Sequence, residues 1–87
     1  MRALFVMPQF KKKISIPHDG TFTFLFTLIY TVNGVRYFVS VFDESLILHN
    51  FRMQNPDDCG WRISDSNDVP DWIIDVEKEL GLAILNQ

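Results

Sequence analysis

The chain has 87 residues, 47% hydrophobic and 22% charged, with a formal net charge of −3. These are values of a folded globular domain and exclude a disordered or low-complexity segment. At this length the chain makes one small domain, 1–87, which buries only about three fifths of its unfolded surface, and its one cysteine, Cys59, rules out an intrachain disulfide and points to a reducing compartment, the cytoplasm.

The net charge hides a division along the sequence: residues 1–42 carry +4 and residues 43–87 carry −7. The acidic total weighs against nonspecific binding to nucleic acid, which depends on basic charge to displace counterions. Arg2, Lys11, Lys12 and Lys13 are the contact residues of the alternative reading, a nucleic-acid-binding accessory protein. The opening MRALFVMPQFKKK has an apolar run too short for a signal peptide, and its lysines follow that run where a signal peptide needs them first.

Phe10 to Pro17 reads as a first strand, with Phe10, Lys12, Ile14 and Ile16 on one side and Lys11, Lys13 and Ser15 on the other. His18-Asp19-Gly20 then supplies a reversal. From Thr21 to Asp43 two β-type runs flank Asn33-Gly34, a strong short-range hairpin signal. Threonine at 21, 23, 27 and 31 gives the alternation of a strand and argues against a membrane-spanning helix. With Asn33 and Gly34 as the central residues of a type I′ turn, Val32 faces Val35, Tyr30 faces Tyr37, Leu28 faces Val39 and Phe26 faces Val41, a wholly apolar face. The other face pairs Thr31 with Arg36, Ile29 with Phe38, Thr27 with Ser40 and Leu25 with Phe42. Leu25, Ile29, Phe38 and Phe42 thus form a second apolar cluster that needs a cover, either the rest of the chain or a partner.

Leu46 to Met53 has no clean period and reads as a strand, because the turn-forming Gln54 to Gly60 that follows suits a second hairpin with Trp61 to Ser64, with Met53 opposite Trp61. Asp68, Val69, Pro70 and Asp71 look like a helix start with Asp68 as N-cap. Val69, Ile73, Val76, Leu80, Ala83 and Ile84 share one face of a continuous helix that crosses Gly81, and Ile74, Leu82 and Leu85 lie off that stripe. Trp61 and Trp72 are expected to meet and seat the helix on the sheet.

No arrangement carries chemistry. Cys59 and His49 are a thiol and an imidazole, but the second hairpin sets them on the order of 15 to 20 Å apart. Asp65-Ser66-Asn67-Asp68 begins like a calcium loop, yet Val69, Pro70 and Val76 occupy its required ligand, glycine and glutamate positions. Asp57, Asp58, Asp71 and Asp75 are read as turn and cap residues, and His18 beside Asp19 as a surface histidine. Phe22, Phe24, Phe26 and Tyr30 fall on the valine face, inside the core, and so offer no stacking platform among basic side chains.

The sequence therefore describes an α+β domain: an antiparallel meander of four to five strands with a C-terminal helix packed on one face. No catalytic, metal-ligating or cofactor-binding residue is assigned. The functional expectation is a non-enzymatic protein–protein interaction module or small acidic regulator, homodimeric, contacting its partner through Leu25, Ile29, Phe38, Phe42 and Arg36.

Overall fold

A computed structural model describes residues 8–56 and 60–86. Five antiparallel strands follow one another in space as in sequence: β1 (Gln9–Ile16), β2 (Gly20–Thr31), β3 (Gly34–Phe42), β4 (Leu48–Gln54) and β5 (Arg62–Ile63). A 3-10 turn at Ser66–Asp68 leads to two short helices, α1 (Asp71–Ile74) and α2 (Glu77–Leu85). This is the α+β meander that the alternation of the chain implies.

Period-two patterning sorts each strand into an inner and an outer face. The inner face buries Ile14, Ile16, Phe24, Phe26, Tyr37, Val39, Val41, Phe51, Met53 and Ile63. Phe26 stacks on Phe10 at 4.5 Å, and Tyr37 stands edge-on to both rings. The helices close this face with the stripe read from the sequence, Val69, Ile73, Val76, Leu80, Ala83 and Ile84, all buried. At about 1.5–3 kcal/mol for each large side chain taken from water, this single layer is the main favourable term of folding. A backbone tie adds to it: Ile63 N–H donates to Glu77 Oε2 at 2.8 Å, joining β5 to α2.

The first hairpin differs from the expected register. Thr31 pairs with Gly34, Ile29 with Arg36, Thr27 with Phe38 and Leu25 with Ser40, two residues away from the expected partners. A type I′ turn needs a left-handed backbone at both central residues, and here Gly34 (φ 114) takes that conformation while Asn33 does not. Val32 and Asn33 therefore form the turn. Thr31 clamps it, its Oγ1 accepting from Asn33 N–H at 3.2 Å and donating to the Gly34 carbonyl at 2.7 Å. A shift of two residues leaves every side chain on its expected face, whereas a shift of one would have reversed them. The second hairpin is shifted by two residues in the opposite sense, with Met53 opposite Ile63 instead of Trp61.

Three further expectations change. The apolar inner face of the hairpin is not covered to its tip, where Tyr30 is 71% and Val32 100% exposed, because the helices reach only its near part. The C-terminal helix is broken: Asp75 and Val76 form a turn, Pro70 is the N-cap of α1, and Asp68 lies in the 3-10 turn before it. The tryptophans seat the helices at separate places. Trp61 stands edge-on to Tyr37 at 5.2 Å, and Trp72 packs on Phe22 at 5.0 Å and edge-on to His49 at 5.6 Å. Gly81 continues α2 and lets it approach Trp61, whose Cβ and carbonyl lie 3.4 Å from where a Cβ on Gly81 would stand.

Candidate functional site

The outer sheet face carries no helix among the described residues. Leu25, Ile29, Phe38 and Arg36 are half-buried there and Phe42 is 57% exposed. The register brings Leu25, Ile29, Phe38 and Arg36 together across β2 and β3, while Phe42 sits at the far end of β3 beside Leu48. Arg36 is held by its own turn, donating from Nη1 to the carbonyls of Val35 (3.1 Å) and Asn33 (3.5 Å).

The strands also collect charge here that the sequence reading did not assemble. Pairing places Lys11 beside Leu25, Lys13 beside Thr23 and Arg52 beside Phe38, on the face of Arg36, and Arg62 beside Gln54 at the sheet edge, where it also lines a cleft with Glu77 of α2. No strand contains an aspartate or glutamate. None of the five cations is ion-paired among the described residues. Asp71, Asp75, Glu77 and Glu79 lie on or beside the helices and Asp19, Asp43 and Glu44 in turns, while Asp65 and Asp68 border the face beside Phe38 and Arg52. Charge is thus divided between faces, and the two sequence halves meet on one surface through Arg36 of β3 and Arg52 of β4. Lys12 points the other way, into a groove between β1 and α2 lined also by Phe10, Ile14 and Leu82. Arg2 lies outside the described residues.

Two ladder rows cross the face. One runs Gln9, Thr27, Phe38, Arg52; the next runs Lys11, Leu25, Ser40, Asn50. Gln9 donates to Thr27 Oγ1 at 3.0 Å and Ser40 to Asn50 Oδ1 at 2.8 Å, so the polar side chains between the cations are fixed in place. A groove of about 700 Å³ opens at the β5 side, bounded by Ile29, Arg36, Phe38, Arg52 and Gln54, with Asp65 as the acid at its rim. Sequence reasoning missed Arg52 and Arg62 because their sharing a face with Arg36 depends on how β3 and β4 pair, and no register was set between those strands.

The one ion pair among the described residues lies at the other end of the molecule, where His49 Nε2 and Asp43 Oδ2 are 2.8 Å apart. Asp43 Oδ1 accepts from the N–H groups of Ser45 (2.8 Å) and Ile47 (3.0 Å), which folds the β3–β4 loop around it. The hydrogen bond from His49, followed by that from Ile47, holds the Asp43 carboxyl below its ordinary value of 3.8. No hydroxyl or thiol contacts His49 among the described residues. The pair locks a loop, and among the described residues no nucleophile is hydrogen-bonded to His49. Cys59, Asp57 and Asp58 lie outside the described residues.

Among the described residues no three His, Cys, Asp or Glu side chains converge as a metal site, and no helix is long and apolar enough to cross a membrane. No protein-family model, curated protein or solved structure matches the chain.

Proposed function

We propose that this chain is a non-enzymatic binding module that presents the outer face of its sheet to an anionic macromolecule in a reducing, cytoplasmic setting. The observation that carries the reading is the gathering of Lys11, Lys13, Arg36, Arg52 and Arg62, around Leu25, Ile29 and Phe38, on a face whose strands hold no acid, with Asp65 and Asp68 at its β4–β5 rim, in a protein of net charge −3. A ligand responds to the local field, not to the net charge. The same five cations oppose a two-fold homodimer through this face, because the symmetry would set like charges against each other. The module therefore works as a monomer with a different molecule as partner.

Heparin chromatography tests this. The parent, although acidic, is retained and elutes with salt, and an R36Q/R52Q variant of unchanged circular dichroism elutes earlier. A parent that passes straight through the column, or that sediments as a dimer which an I29T/F38T substitution converts to monomer, would contradict the reading.

A further inference from the structure

We infer that the partner of this face is single-stranded nucleic acid, with Phe38 as a stacking platform for a base and the flanking cations as phosphate contacts; the inference rests on the reading of the outer face as a binding surface. Phe38 is paired directly with Arg52 and stands two residues from Arg36 on β3, a separation of roughly 7 Å. An aromatic ring between two guanidinium groups is the arrangement that unpaired bases and their phosphates require together, since every base has a π-face and every linkage a negative charge. Around it Thr27, Ser40, Asn50 and Gln54 offer hydrogen-bonding groups to base edges and sugars. Phe42, more than half exposed, is a second ring on the same face.

Geometry favours a single strand over a duplex. Five strands at about 4.8 Å spacing make a shallow surface about 19 Å across, and among the described residues the outer face bears no α-helix or ribbon that could enter a major groove. A strand crossing from Lys11 and Lys13 on β1 towards Arg52 and Arg62 on β4 and β5 meets charge at both ends and an aromatic ring between them. An acidic peptide would use the same cations but would have no need of Phe38.

Fluorescence anisotropy of the full chain with a labelled oligo-dT of about 16 nucleotides decides the matter. Binding is expected to weaken with salt along a log–log slope of up to about −3.5, as for five neutralised phosphates on a single strand. Phe38→Leu, which keeps an apolar side chain on the strand, should weaken binding at least about fivefold, while Phe38→Trp should retain it. Duplex DNA of the same length should bind more weakly than the single strand. If Phe38→Leu binds like the parent, or poly-glutamate competes as well as oligo-dT, the surface takes acidic partners in general; the nucleic-acid inference then fails while retention on heparin keeps the broader reading. If neither oligo-dT nor heparin is bound, both fail.

Discussion

Asp43 illustrates how one side chain settles a local structure. Its two oxygens take two loop N–H groups and His49, so the chain from Asp43 to Ile47 folds around a carboxylate, with Leu46 held at φ 65 in consequence. Because these bonds favour the ionised form, the folded carboxyl titrates below its ordinary value of 3.8. The stabilisation is therefore complete above that value and is lost as pH falls through the lower folded value. Asp43→Asn keeps an oxygen for the loop N–H groups but loses the charge opposite His49. It should melt below the parent at about pH 6, and the gap in Tm should narrow as the pH is taken to about 2.5. A gap that stays constant with pH would mean that the charge of Asp43 contributes nothing. None of this was legible in the sequence, since the partner His49 lies in Leu46 to Met53, a segment without a clean period.

At the scale of elements, the helix stripe was the most legible feature and the helix itself the least. Val69 to Ile84 bury the side chains that a 3.6-residue period selects, although the backbone breaks at Asp75 and Val76. Burial on the sheet holds the stripe in phase across the break, so periodicity reports the face without reporting continuity. Leu80 and Leu82 separate the two sides of α2, being fully buried and 47% exposed. Leu80→Ala is expected to cost about 2–5 kcal/mol and Leu82→Ala less than about 1 kcal/mol in urea denaturation. Equal losses would place α2 in the wrong rotation. The hairpin shows the complementary case. Asn33-Gly34 located the reversal, but a glycine after an asparagine suits either a turn centred on the pair or one in which only Gly34 is left-handed, and Thr31 decided for the second through its two hydrogen bonds. The faces survived because the two registers differ by an even number of residues.

Over the whole molecule, the fold converts a charge division along the sequence into a division through space. Acids gather on the helical side and in the turns, while the outer sheet face holds Lys11, Lys13, Arg36, Arg52 and Arg62. The apolar members of that face, Leu25, Ile29, Phe38 and Phe42, were legible from alternation alone; Arg52 and Arg62 were not, because the sequence set no register between β3 and β4. Their arrival adds basic charge to a surface whose apolar members alone suggested self-association, and the proposal of a polyanionic partner rests on that addition. The Lys11-Lys12-Lys13 run, a unit in the sequence, is divided by the strand alternation, with only Lys11 and Lys13 on the outer sheet face. An NMR titration of the 15N-labelled chain with oligo-dT tests the central claim most directly. The account predicts the largest shift changes at Ile29, Arg36, Phe38 and Arg52, smaller ones at Lys11 and Lys13, and none along α2. Changes centred on α2 and Lys12, or spread evenly over the surface, would contradict it.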